Sequence, residues 1–353
     1  MMDEKSFDVI ILGAGLTGLT LAYDLRQSGL SVLLLEARNR IGGRILTTES
    51  SPPIEMGATW LGSRHTHLIA LLQELGLDTF EQRMGQHAIY EPISTSPPQL
   101  VQLPPNPEPS FRIQGGTSRL IQALAGHLNP DQIQLGQAVA SLEVQEVGLQ
   151  VNTPSHSYHA SKVVSTLPPY LLSQTIGLPD ELPDDLLAVA TATHTWMGDS
   201  IKFGLAYPSP FWRAPGSSGT LFSNTGPIPE MYDHAPVEDH QYALKGFLQG
   251  IYHGLDREER LNLIQRQLGK YYGDKATAYT DYHEVVWRDE PFTFLPYQQP
   301  VLPHANNGHS VFQQSFLSGQ FWVAGAETAS QFPGYMDGAV ESARSIAQLI
   351  MAS

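Results

Sequence analysis

Residues Phe7 to Leu12 form an apolar, β-branched run, Gly13-Ala-Gly-Leu-Thr-Gly18 follows, and a helical pattern through Leu19, Leu21, Ala22 and Leu25 stops at Gly29. A second apolar run, Ser31 to Leu35, ends in Glu36, which lies 23 residues after Gly13. This order of buried strand, glycine turn, helix, buried strand and carboxylate is a βαβ unit built to hold a dinucleotide. Gly13 permits the tight turn, Gly15 lets backbone approach a pyrophosphate, and Gly18 lets the helix pack against the strand. The helix start, with Leu16 and Thr17, then aims its positive dipole end at the phosphates. Glu36 is placed to accept ribose hydroxyls, with Ala37 and Arg38 beside it.

The 353 residues are too many for one simple core and suit two interleaved domains. Hydrophobic residues at 41% and charged residues at 16% describe a globular chain. A formal net charge of −15 disfavours nucleic acid and anionic membranes and weakly favours cationic small molecules. With no cysteine, thiolate catalysis, iron–sulfur clusters and thioether-linked cofactors are excluded. The first residues are acidic where a signal peptide is basic, and no run of about 20 apolar residues is present, so the expected address is cytoplasmic.

Further along, a helix is expected from His67 to Leu75. The proline-rich stretch from Glu91 to Ser110 reads as a loop or extended cover. Helical periodicity returns over Gly116–Leu128. Short strand patterns follow near Ala138–Val144, Gly148–Val151, Lys162–Ser165 and Ser200–Tyr207. Arg257–Tyr272 reads as a helix, Phe321–Ala324 as a strand, and about Tyr335 to Ile350 as a helix.

The fingerprint alone does not separate NAD from FAD. The residues after Glu36 do: Ala37-Arg-Asn-Arg-Ile-Gly-Gly-Arg44 resembles the flavin-containing amine oxidase family, in which such a stretch lines the flavin phosphates. Gly42 and Gly43 beside Arg40 and Arg44 suit close backbone approach and fixed positive charge at a diphosphate. The resemblance continues through Glu55-Met-Gly-Ala-Thr-Trp-Leu-Gly62, Gln114-Gly-Gly-Thr-Ser-Arg-Leu120 and Lys162-Val-Val-Ser-Thr-Leu-Pro-Pro169. It includes Asp199-Ser-Ile-Lys-Phe-Gly204 with Pro210-Phe-Trp-Arg213. It ends in Phe321-Trp-Val-Ala-Gly-Ala-Glu-Thr-Ala329 and Gly334-Tyr-Met-Asp-Gly-Ala-Val-Glu341.

The resemblance implies an α/β fold: a discontinuous Rossmann-like FAD-binding domain (1–78, 112–190 and 288–353) and a smaller α+β substrate-binding domain (79–111 and 191–287). It implies non-covalent FAD, a small-molecule amine substrate and dioxygen as acceptor, giving an imine, then a carbonyl compound, and hydrogen peroxide. Gly57, Ala58, Thr59 and Trp60 would pass along the flavin. Val139, Trp287, Gly325, Glu327 and Met336 would complete its surroundings. Lys202 would face flavin N5 through a water. Tyr335 and Tyr297 would form an aromatic cage around the amine.

Two departures stand out. Pro296 occupies the position before Tyr297 where animal monoamine oxidases attach FAD through cysteine, so the attachment here is expected to be non-covalent. The span from Phe80 to Arg112 is much shorter than in larger family members, leaving substrate identity open. L-amino-acid oxidases commonly carry an arginine in the segment matching Glu55–Gly62, and none is present, which favours a simple amine, with Arg83 or Arg213 as the other sources of that charge. A desaturase or a non-catalytic flavin sensor are the remaining alternatives; Lys202 with two tyrosines favours turnover. His65 with His67, and His156 with His159, lack further ligands, so no metal is expected.

Overall fold

The apolar run Lys5–Leu12 is the centre of a mostly parallel sheet, flanked by Val32–Glu36 on one side and Ser157–Ser165 on the other. In the computed structural model, residues 5–105, 108–236, 241–297, 302 and 304–353 are described. Ile133–Leu135 extends this sheet beyond Val32–Glu36. The Ser157–Ser165 strand is forked. Its first half pairs antiparallel with Leu149–Asn152, and its second half pairs parallel with Phe321–Val323. Runs buried on both faces, such as Val32–Glu36, need cover on each side. Helices Leu16–Leu25 and Met336–Ala352 pack together on one face, with the Thr66–Glu74 and Ser118–Gly126 helices beside them. Helices Pro169–Thr175 and Asp184–Ala192 contribute to the core on the other.

Gly18 shows how tightly the first turn is drawn. A Cβ there would lie 2.0 Å from the Gly13 carbonyl oxygen. Gly18→Ala is therefore expected to cost about 2–3 kcal/mol of folding stability. Chemical denaturation would read this, and an unchanged midpoint would count against the tight packing.

A second sheet of seven strands lies beside the first. Its order is Asp281–Val286, Ile201–Tyr207, Tyr242–Leu248, Glu230–Asp233, Leu221–Ser223, His87–Glu91 and Gln99–Gln102. One face packs under the Arg257–Tyr272 helix through Phe203, Leu205, Leu244, Leu248, Ile264 and Leu268. Asp256 and Glu259 form a capping box at that helix's start. The other face turns toward the segment after Glu55: Ala243 clusters with Ile54 and Met56, and a Cβ on Gly204 would lie 2.5 Å from Ile54. A small third sheet joins Leu61–Gly62, Ser110–Ile113 and Thr79–Glu81.

Several expectations need correction. The Glu91–Ser110 stretch is not only loop, because Gln99–Gln102 pairs antiparallel with His87–Glu91 at the end of the second sheet. Its prolines flank that short edge strand, where they cost no ladder bond. The strand expected at Lys162–Ser165 begins earlier, at Ser157, and the pattern near Ala138–Val144 becomes a strand only from Ser141. Among the described residues, no helix is long and apolar enough to cross a membrane.

Candidate functional site

The first helix begins at Leu16 with Gly15 as its cap, no side-chain capping bond and no acidic residue in its first turn. Its dipole end is thus left for an anion. Glu36 is buried, and its carboxylate accepts from Ala14 N–H at 2.8 Å and Arg38 N–H at 2.9 Å. Gly42 N–H donates to the Ala14 carbonyl at 2.8 Å, so the two glycine turns lie against each other. A Cβ on Gly43 would come within 3.3 Å of Gly15 Cα. A cleft of about 480 Å³ opens here. Gly13, Gly15, Leu16, Thr17, Glu36 and Ala37 line it from the first βαβ unit. Arg38, Gly42, Gly43, Arg44 and Ala58 form a second wall, and Val139, Tyr335 and Met336 form the far side. Backbone amides, a ribose-facing carboxylate and walls without bulky side chains at the turns fit the diphosphate end of a dinucleotide.

The arginines are more heavily engaged than the sequence suggests. Arg38 pairs with Glu290 at 3.0 Å and donates to Thr293 at 2.7 Å, tying the cleft to residues 290–293. Arg40 donates to the Ile41 and Gly43 carbonyls of its own loop, at 3.3 and 3.1 Å. Arg44 grips Glu327 with both terminal nitrogens, one contact at 2.8 Å, and donates to Thr195 at 3.0 Å. Burial pushes the Glu327 carboxyl up, but the Arg44 charge and its hydrogen bonds outweigh this and hold it below the usual carboxylate range.

Behind the cleft, the Gly57–Trp60 segment runs across the inner face of the second sheet. Lys202 is 2% exposed and donates to the Gly57 carbonyl at 2.6 Å. Burial lowers its ammonium to about 8. Thr59 donates to the same carbonyl at 3.1 Å, and the indole of fully buried Trp287 donates to the Met56 carbonyl at 2.8 Å. The alternation that puts Phe203 and Leu205 on the helix side sends Lys202 to this face.

The two expected cage tyrosines have separate neighbours. Tyr297 accepts from Thr195 N–H at 2.9 Å and lies 4.0 Å from the His194 ring and 4.4 Å from Tyr170. Burial raises its phenol to about 12. Tyr335 is the cap residue of the Met336–Ala352 helix and is 50% exposed, stacked 6.3 Å from His304 and tilted against His65 at 5.7 Å. Among the described residues, no ring contact joins the two tyrosines. Gly325, with φ +153°, donates to Ser342 at 3.1 Å, placing the following Glu327 under Arg44. No group of three acidic or histidine side chains among the described residues could hold a metal ion.

The structure adds residues that the sequence reading passed over. Lys245, fully buried on Tyr242–Leu248, donates to Thr59 Oγ1 and lies 4.4 Å over the Trp60 ring. Trp60 Nε1 donates to Gln82 at 3.0 Å, and Tyr232 meets the indole edge-on at 5.3 Å. Arg112 is buried against the His234 and Ala235 carbonyls, at 3.2 Å each, and burial lowers it to about 10. Burial also drives His234 well below the usual imidazole range. The available signal was a lysine inside the alternating run Ala243-Leu-Lys-Gly-Phe-Leu248, the same signal that marks Lys202.

A glycine-walled cleft that fits a dinucleotide, backed by a lysine-bearing sheet, defines the class as an α/β nucleotide-binding protein. The family model described as flavin containing amine oxidoreductase matches residues 16–96 and 93–351, and the chain belongs to that family. A protein named probable flavin-containing monoamine oxidase A from Dictyostelium discoideum is 25% identical, with 95% of each chain covered. That alignment, at 447 positions, is longer than the 353-residue chain, so the relative carries segments absent here. The flavin-containing amine oxidase B of Sus scrofa is 24% identical over 98% of this chain and 86% of its own. Among solved structures, putrescine oxidase bound to putrescine overlays with a TM-score of 0.83 at 24% identity, covering 99% of both chains. The cyclohexylamine oxidase of Brevibacterium oxydans IH-35A overlays at 0.84 and 22% identity, covering 98% of this chain and 99% of its own. The protein is accordingly an FAD-dependent oxidoreductase of the amine oxidase family.

Proposed function

We propose that the protein oxidises a small primary amine to an imine, which hydrolyses to a carbonyl compound, with dioxygen as acceptor and hydrogen peroxide as product. The observation that carries this reading is Lys202, a buried amine delivered by the second sheet to the backbone that runs along the nucleotide cleft. FAD held in this cleft would supply the two-electron oxidation of the amine.

The chain's own residues do the rest. Glu36 and the first helix's amides hold the ribose and diphosphate end, and Arg38 closes that end through Glu290. The Met336–Ala352 helix begins at the cleft with no capping side chain, and buried Asp337 in its first turn already sets a carboxylate at that dipole end. Trp60, Phe247 and Tyr232 give the space beside Lys202 aromatic walls, which exclude water and favour a neutral amine. Lys202 can orient a water and move a proton at Nζ, since its ammonium is eased toward neutrality. Tyr335, on the cleft wall, and Tyr297, packed on His194 and Tyr170, would flank the amine.

Two measurements test this. Anaerobic addition of an amine panel to the holoprotein should bleach the visible flavin band for at least one small amine; no bleaching by any amine would sink the reading. Tyr335→Ala should lower amine turnover about tenfold while FAD retention stays near wild type. Equal loss of both would make Tyr335 a cofactor contact only.

A further inference from the structure

The sheet face that carries Lys202 carries a second buried lysine for which amine oxidation as proposed has no task. Lys245 stands opposite Gly204 and two residues before Phe247, which is the direct partner of Lys202. Such diagonal neighbours across an antiparallel pair lie roughly 7–8 Å apart at Cα. Both nitrogens lie near one ring: Lys202 Nζ is 5.2 Å and Lys245 Nζ 5.8 Å from the centre of Phe247. Lys245 also shares the Gly57–Trp60 segment with Lys202, donating to Thr59 Oγ1 beneath the Trp60 indole. A molecule that reaches Lys202 is therefore within reach of Lys245.

The charge nearby is lopsided. Lys202, Lys245 and Arg112 are all buried. Glu55, the buried carboxylate near them, has its oxygens taken by Thr47 at 2.8 Å and by Thr117 at 2.6 and 3.0 Å. Glu230 is half-buried and accepts from Tyr232 at 3.1 Å, and buried Asp233 is held by Arg213 at 2.7 Å. Among the described residues, the Thr59 hydroxyl is the acceptor that Lys245 meets, and aromatic rings fill much of the rest of its surroundings. A primary amine has donors to spare whatever its charge, and a buried one is completed by an acceptor, best by an anion. A second ammonium in the same place would be buried beside like charges without a counter-ion.

We propose that Lys245 is a specificity-determining residue of the substrate site, selecting an amine that also carries a carboxylate and rejecting a diamine. The proposal rests on the amine oxidase reading above. It supplies, from the second sheet, a buried hydrogen-bond donor where Glu55–Gly62 has no arginine.

The test uses holoprotein and reagents of matched length: butylamine, γ-aminobutyrate, α-aminobutyrate and putrescine, each followed by anaerobic flavin reduction. One of the two aminobutyrates should reduce the flavin at least about tenfold more efficiently than butylamine, and putrescine at least about tenfold less, the scale of one charge-assisted hydrogen bond gained or one ammonium left unpaired. Which aminobutyrate wins tells where the carboxylate sits relative to the reacting carbon. In Lys245→Met the gap between amino acid and butylamine should close, and in Lys245→Arg it should persist. A wild-type preference for putrescine, equal rates for all four, or a gap that survives Lys245→Met overturns the proposal. Should no amine reduce the flavin, the amine oxidase reading fails, and Lys245 is judged by binding alone. Butyrate should then perturb the visible flavin band of wild type with a Kd at least about tenfold lower than for Lys245→Met, and equal binding overturns it. Where Lys245→Met does not retain flavin, Lys245→Arg and the wild-type comparison decide.

Discussion

Lys202→Met is expected to slow either flavin reduction by amine or flavin reoxidation by dioxygen by about a hundredfold, leaving FAD bound. The methionine keeps the length of the side chain and its place against Phe247 but removes the donor to Gly57 and any proton held at Nζ. Stopped-flow measurement of the two half-reactions separates the possibilities, and wild-type rates in both would remove Lys202 from the mechanism. The pH dependence gives a second signature. Burial lowers the Lys202 ammonium to about 8, so it is charged below that pH and neutral above it. The affected half-reaction should show an inflection near that value in wild type and none in Lys202→Met. The same depression makes the lysine's contribution to stability largest above its ordinary range near 10.4, declining as pH falls toward 8. With FAD saturating, the variant should therefore gain stability relative to wild type as pH drops through that window. A purely structural lysine would show the stability change without the kinetic one.

The second large effect concerns the Arg44–Glu327 pair. Glu327 is 2% exposed, and Arg44 holds it with both terminal nitrogens while donating to Thr195. Arg44→Ala would leave a buried carboxylate without its partner, at an expected cost of about 3–5 kcal/mol in chemical denaturation. Replacing both residues with apolar ones of similar size should recover much of that loss, because the desolvation penalty disappears along with the attraction. Net, the pair holds the Glu327 carboxyl low, so its stabilisation is present above the unfolded carboxylate value and is lost as pH falls through the lower folded one. In Arg44→Ala burial is opposed only by the weaker backbone and Thr195 hydrogen bonds, so the carboxyl moves up and the deficit relative to wild type should narrow on acidification. A variant within about 1 kcal/mol of wild type at neutral pH would mean that solvent reaches Glu327.

The nucleotide half was legible because its signals are local and redundant. The apolar strands flanking Gly13–Gly18 need burial on both faces, and Glu36 can close only one kind of unit. The second sheet was less legible. Ile201–Tyr207 could be read by alternation, but Tyr242–Leu248 was not, although its lysine sits in the same apolar context. Prolines around Gln99–Gln102 suggested a loop or extended cover, and did not reveal that the extended part pairs as an edge strand. Arg44 illustrates a different gap: its placement beside the cleft was foreseeable, but its grip on Glu327 joins residues 283 apart in sequence. The surroundings of Tyr297 and Tyr335 likewise come from Tyr170, His194, His65 and His304, which no spacing rule brings together.

The forked strand has a consequence for biosynthesis. Its second half, Val163–Ser165, waits for Phe321–Val323, and the helix that opens at Leu16 waits for Met336–Ala352 to cover it. The glycine turn is made early, yet its sheet stays one strand short until Phe321–Val323, more than three hundred residues after Gly13, has emerged. During most of translation, the nascent chain therefore presents an unpaired edge and an uncovered apolar helix to whatever holds it.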